Sequence, residues 1–168
     1  MVADVTVYFV TIKAPSMDFN LETFLPYRLN QAAERVSQRF AAQYRARYRM
    51  TRPEWRALAA LGSYGRMTAT EIGGNSSMHK TKVSRAVRAL EEKRWLKRSE
   101  DADDRRIEHL ELTAAGKRIY GEMIALAHDY ERELSRLLGA NGLNQLEAGL
   151  AAIEAKLPSA SGHRGPQD

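Results

Sequence analysis

Met78-His79-Lys80-Thr81-Lys82-Val83-Ser84-Arg85-Ala86-Val87-Arg88-Ala89-Leu90-Glu91-Glu92-Lys93-Arg94 is the stretch whose reading decides the fold. Val83, Val87 and Leu90 recur at i, i+4 and i+7, so in a helix they share one face. Lys80, Thr81, Ser84, Arg85 and Arg88 fall on another. The short apolar stripe packs such a helix onto its own domain. The other face offers the donors that phosphates and major-groove base edges accept. A solvated amphipathic helix with a surplus of Lys and Arg would show the same pattern, so the flanking segments must discriminate.

Upstream, Thr68-Ala69-Thr70-Glu71 is a capping box that opens a short helix containing Ile72, and Gly73, Gly74 and Asn75-Ser76-Ser77 follow it. A short helix, a turn and a helix with a basic exposed face is helix-turn-helix grammar. Further back, Thr51-Arg52-Pro53-Glu54 is another capping box with Pro in the first turn. The helix it opens is expected to bury Trp55, Leu58, Ala59 and Leu61 and to end at Gly62-Ser63-Tyr64-Gly65. From Leu21 to about Tyr48 a long helix is predicted, with Leu25, Leu29, Ala32, Val36, Phe40 and Tyr44 at helical spacing. Its length suggests packing across a subunit boundary.

Downstream, Trp95–Glu100 reads as a short strand, 101–106 as a polar turn, and Ile107–Leu112 alternates apolar and polar as a half-buried strand does. Arginines at the tip of such a hairpin suit a minor groove. Alternatively, Asp103 and Asp104 neutralise Arg105 and Arg106 and leave a plain turn. Thr113 caps a helix running to about Leu138 on Ile119, Met123, Leu126, Tyr130, Leu134 and Leu137. Gly139-Ala140-Asn141-Gly142 breaks it, and Leu143, Leu146, Leu150, Ile153 and Leu157 define a last helix. The expected fold is mainly α with a small β-hairpin wing: a winged helix-turn-helix domain plus a helical dimerisation region. Its parts are an extension over 1–16, a dimerisation helix over 17–50, the winged helix over 51–112, C-terminal dimerisation helices over 113–157 and a disordered tail over 158–168. Met17 directly precedes the first helical pattern, so it is the expected natural start.

The chain has 168 residues and a net charge of +5. Placement matters more than the total. Residues 79–98 hold eight basic residues and two acidic ones, a net +6 that exceeds the charge of the whole chain. A basic patch on one element is the footprint of a polyanion binder. The segment lacks the wide apolar face that membrane insertion needs. Absence of cysteine excludes disulfides, thiolate metal sites and cysteine nucleophiles. No apolar run reaches the ~18 residues of a membrane span, and a cytoplasmic location is the default. His79, His109 and His128 share no metal-ligand spacing, and the adjacent pairs Glu91-Glu92 and Asp103-Asp104 make no two-carboxylate active site. No enzyme, metal or cofactor is therefore expected.

The order of elements resembles the MarR family of winged-helix transcription regulators. The wing carries the resemblance most specifically: the family pattern of Asp-x-Arg, an apolar residue, Thr and Gly is met by Asp104-Arg105-Arg106, Leu110, Thr113 and Gly116. Val83-Ser84-Arg85 with Leu90-Glu91 resembles its recognition helix. The chain departs from the pattern at Arg94, where the family has Gly, and at Gly73, where it has Ala. The resemblance implies a homodimer on a pseudo-palindromic operator, a repressor released by a small effector such as an aromatic carboxylate or an acyl-thioester. It assigns Ser77, His79, Lys80, Thr81, Lys82, Ser84, Arg85 and Arg88 to double-stranded DNA, with Arg85 on a base and Lys80, Lys82 and Arg88 on phosphates. Arg105 and Arg106 go to the minor groove, and Asp104 orients the wing through a salt bridge. Tyr27, Arg28, Arg35, Trp55 and Arg56 are the candidate effector contacts, with Trp55 as plain core the competing reading. A protein-binding adaptor or a nonspecific DNA-compacting protein are the other classes this sequence admits.

Overall fold

The computed structural model describes residues 19–157. The expectations for 1–16 and 158–168 lie outside that range. Among the described residues, five helices and one hairpin occur in the predicted order: α1 (Leu25–Tyr48), α2 (Arg52–Tyr64), α3 (Ala69–Ser76), α4 (Lys80–Glu92), β1 (Leu96–Glu100), β2 (Glu108–Leu112) and α5 (Ala114–Lys156). The chain divides into one unit ending at Val36 and another beginning at Ser37.

In the first unit, Phe19 and Phe24 meet edge to face at 5.2 Å. Leu25, Leu29 and Val36 of α1 all remain exposed, although they continue the stripe that predicted a buried face.

In the second unit the core forms around α4. Val83, Ala86, Val87 and Leu90 are all buried, so the apolar spacing did mark the inward face. Against them pack Ala57, Leu58 and Leu61 of α2, Ile72 of α3, and Leu110 and Leu112 of β2. Trp55 is partly buried at the edge of this cluster, and its ring lies 5.8 Å from Phe40 and 6.2 Å from Tyr44.

The capping boxes differ from each other. At α3 both halves form: Thr68 Oγ1 accepts from the Glu71 N–H, and the Glu71 carboxylate accepts from the Thr68 N–H at 2.7 Å. At α2 only one half forms. Thr51 Oγ1 accepts from the Glu54 N–H, but the Glu54 side chain bonds Lys93 at the end of α4. A tertiary ion pair outcompetes the local cap.

Helix α4 ends in a Schellman motif. The Trp95 N–H donates to the Leu90 carbonyl at 2.9 Å and the Arg94 N–H to the Glu91 carbonyl at 2.8 Å. That motif needs a left-handed residue, usually glycine, and Arg94 supplies it with φ 58°. The helix therefore ends as it would with glycine. Ser77 plays the same part after α3, with φ 50°. At Gly73 a methyl group would lie 3.1 Å from the Met78 carbonyl oxygen, so the turn packs more tightly here than an alanine would readily allow.

β1 and β2 pair antiparallel, with Leu96 opposite Leu112 and Arg98 opposite Leu110. Backbone hydrogen bonds in both directions between Met67 and Leu110 pin this hairpin to the α2–α3 loop. α5 was expected as two helices parted by four residues. It breaks at Gly139 alone, with φ 68° and ψ 164°, and resumes immediately.

Candidate nucleic-acid interface

The hydroxyl and cationic residues expected to meet DNA all lie at the surface. Ser77, His79, Lys80, Thr81, Lys82, Ser84, Arg85 and Arg88 are exposed, as are Asp104, Arg105 and Arg106 at the wing tip. His79 is the N-cap of α4, yet no side chain caps the helix there. Its first N–H groups and the positive end of its dipole are thus open to an anion.

The structure separates the basic residues of the segment into two groups. Lys93, Lys97 and Arg98 are engaged in ion pairs, with Glu54, with Glu111, and with Glu91 and Glu108 respectively. Arg88 pairs with Glu92 across one helical turn at 3.0 Å, both side chains largely exposed, a contact of small energy that a phosphate can displace. Among the described residues no ion pair engages Lys80, Lys82, Arg85, Arg105 or Arg106. Net charge along the sequence does not distinguish these groups; packing does.

The wing tip is built by Asp101 and Asp104. Asp101 Oδ1 accepts from the N–H groups of Asp103 at 3.0 Å and Asp104 at 3.2 Å, and Oδ2 meets His109 Nε2 at 2.8 Å. These contacts, led by the Asp103 N–H and then His109, hold the Asp101 carboxyl down at about 2. Asp104 Oδ1 accepts from the Arg106 N–H at 2.9 Å. Asp104 therefore shapes the wing through a backbone hydrogen bond, and among the described residues the expected salt bridge is not seen. Local neutralisation of Arg105 and Arg106 by Asp103 and Asp104 does not occur either. The sequence reading missed Asp101 and His109 as wing builders. Their separation in sequence gave no sign that the hairpin register would bring them together.

Two clefts involve candidate effector residues. One of about 330 Å³ lies between α2 and the α3–α4 turn, lined by Trp55, Arg56, Ala59, Ala60 and 75–77. A smaller one, about 90 Å³, is lined by Ser37, Phe40, Tyr44, Arg52, Trp55 and Arg56. Trp55 and Arg56 line both, whereas Tyr27, Arg28 and Arg35 belong to the unit ending at Val36 and line neither. Arg56 also donates to the Ser76 carbonyl at 3.4 Å. Burial raises the Tyr44 phenol, while Arg52, Arg45 and Arg56 pull it the other way, which marks this region as electropositive. Among the described residues there is no cluster of three or more His, Asp or Glu suited to a metal, and no helix is long and apolar enough to cross a membrane.

Residues 50–107, spanning α2 to the wing tip, match the model of the MarR family. Over that segment the chain is similar to the MarR family of transcriptional regulators. Solved structures of similar fold include a probable transcriptional regulator from Pseudomonas aeruginosa, at 26% identity and TM-score 0.66, covering 80% of this chain and 99% of that one. A MarR family transcriptional regulator from Silicibacter pomeroyi is also 26% identical, with TM-score 0.64 and coverage of 79% and 99%. The fold is shared too with NadR solved in complex with 4-hydroxyphenylacetate, at 20% identity, TM-score 0.62 and coverage of 94% and 99%. No curated protein matches the chain.

Proposed function

We propose that this chain is a regulator of the MarR type that binds a pseudo-palindromic operator as a homodimer, with α4 in a major groove and the wing in the flanking minor groove. The carrying observation is that Lys80, Lys82, Arg85, Arg105 and Arg106 stand exposed and, among the described residues, without ion-pair partners, while Lys93, Lys97 and Arg98 beside them are paired. Unpaired cations release counterions when they meet phosphates, which gives binding its steep salt dependence. The uncapped N-terminus of α4 adds a phosphate seat. Arg85, in the middle of the helix, suits bidentate pairing with guanine. The segments 17–50 and 113–157 serve dimerisation: Leu25, Leu29, Val36, Leu137, Leu138, Leu146 and Leu150 are exposed apolar residues that a second subunit would cover.

Binding represses, and an aromatic carboxylate releases it. The ring would lie against Trp55 and the carboxylate would pair with Arg56, which borders the helix-turn-helix turn through Ser76. That NadR was solved with 4-hydroxyphenylacetate supports an aromatic acid over a bulkier thioester, as does the modest size of both clefts.

Selection from a randomised duplex pool, followed by titration of the enriched sequence at several salt concentrations, tests this reading. Arg85→Ala should weaken binding by roughly 5- to 100-fold and relax base preference, and Arg106→Ala should weaken it comparably. Unchanged affinity in a folded Arg85→Ala, Arg106→Ala protein would overturn the reading. For the effector, 4-hydroxyphenylacetate at ~100 Kd should stabilise the native protein by ~2.7 kcal/mol and the Arg56→Ala protein much less.

A further inference from the structure

We propose that Arg98 is the positioning residue that sets the wing against the recognition helix, so that the two DNA-contacting elements act as one rigid reader. The inference rests on the DNA-binding reading above. Arg98 sits in β1, yet its guanidinium reaches two other elements. Nε donates to Glu91 Oε1 at 2.8 Å and Nη2 to Glu91 Oε2 at 2.7 Å, while Nη1 donates to Glu108 Oε2 at 2.6 Å. Glu91 lies in the last turn of α4, and Glu108 is the first residue of β2. One side chain thereby joins the recognition helix to both strands of the wing.

Two parallel hydrogen bonds to a single carboxylate fix an angle as well as a distance. A lysine at this position would keep the charge and lose the angle. The guanidinium faces two carboxylates, so Arg98 adds geometry to the basic face and no net positive charge. The pairing with Arg98 lowers the Glu91 carboxyl, and both carboxylates raise the guanidinium in turn. An isolated two-stranded hairpin is marginal in water. This wing has the Met67–Leu110 backbone pair at its base, but its outer half, with Arg105 and Arg106, extends beyond it. Arg98 also borders the groove of about 730 Å³ between α3 and α4 that holds Ser77, His79, Lys80 and Ser84. The contact therefore lies beside the surface assigned to DNA.

A double-mutant cycle on the full-length protein tests this, using the duplex enriched from the randomised pool. In the native background Arg106→Ala should weaken binding roughly tenfold. In the Arg98→Met background, where the wing is no longer aligned, the same substitution should cost less than about threefold. Arg98→Lys should behave like Arg98→Met, because charge alone does not restore the angle. Should Arg98→Met fail to fold, Glu91→Gln replaces it in the cycle with the same expectation. Equal cost of Arg106→Ala in both backgrounds would overturn the inference and leave DNA binding intact. Enrichment of no duplex by the native protein would overturn the DNA-binding reading and this inference together.

Discussion

A methyl group on Gly116 would lie 1.9 Å from the carbonyl oxygen of Trp95, and 2.9 Å from the carbon that bears it. The first turn of α5 thus rests directly on the backbone entering the wing. The same carbonyl accepts the Thr113 N–H at 3.1 Å, and Thr113 Oγ1 donates to the Arg94 carbonyl at 2.8 Å. Gly116→Ala should therefore destabilise the protein by about 3 kcal/mol or more, because backbone must move. The ~1 kcal/mol that alanine gains in a helix is smaller than this cost. Urea denaturation measures the balance; equal or higher stability would show that this junction yields easily.

Arg94 makes the opposite case. Left-handed backbone costs a non-glycine residue about 1–2 kcal/mol. Glycine avoids that cost but loses more freedom on folding, by about 0.5–1 kcal/mol. Arg94→Gly should then raise stability by about 0.5–1 kcal/mol, visible as a higher urea midpoint at unchanged slope. A fall in midpoint would mean that the arginine side chain contributes more than its backbone costs.

Lys93 and Glu54 form the partly buried ion pair that displaced the α2 capping box, and Lys93 also donates to the Arg49 carbonyl at 3.1 Å. The Glu54 side chain is 10% exposed and that of Lys93 26%. Lys93→Met leaves the more buried charge unpaired and should cost about 2–3 kcal/mol. Glu54→Gln should cost less, since Lys93 retains the carbonyl. The double substitution should cost less than the two together, as a thermal or urea double-mutant cycle would report.

Asp101 gives a pH signature. Its folded value of about 2 lies below the ordinary 3.8. A depressed carboxyl stabilises the fold above its unfolded pKa, and that contribution fades as pH falls from about 4 through about 2. A carboxyl-detected NMR titration should place the Asp101 midpoint near 2, and His109→Phe should move it upward. An ordinary midpoint would mean that the wing-tip hydrogen bonds are not kept in solution.

What could be read from the sequence follows the physical range of each signal. The order of elements and the inward face of α4 were legible because Val83, Val87 and Leu90 report a periodicity that needs no partner. The Asp104, Leu110, Thr113 and Gly116 pattern was legible as a resemblance, although only the Asp104 turn and the Thr113 cap are local contacts. Asp104 holds a backbone turn, Leu110 fills a core position, Thr113 caps a helix and Gly116 permits a close approach. The partners of the charged residues were not legible. Glu54 looked like a cap because Thr51 stands three residues away, and nothing in the sequence placed Lys93 beside it. Likewise Arg98 counted as one more cation until its two carboxylates were in view. Trp55 and Arg56 were found at a cleft, whereas Tyr27, Arg28 and Arg35 share helix α1 with cleft residues but belong to a different unit.

The break at Gly139 has a consequence for chirality. No neighbour lies within 4 Å of where a side chain there would begin, so crowding does not select glycine. The backbone angles do, since φ 68° with ψ 164° is a region that left-configured residues avoid and their mirror images favour. In a semisynthetic protein, D-alanine at 139 should keep the bend and melt no lower than the native chain. L-alanine should straighten the rod and carry Leu143 through Lys156 off their present course.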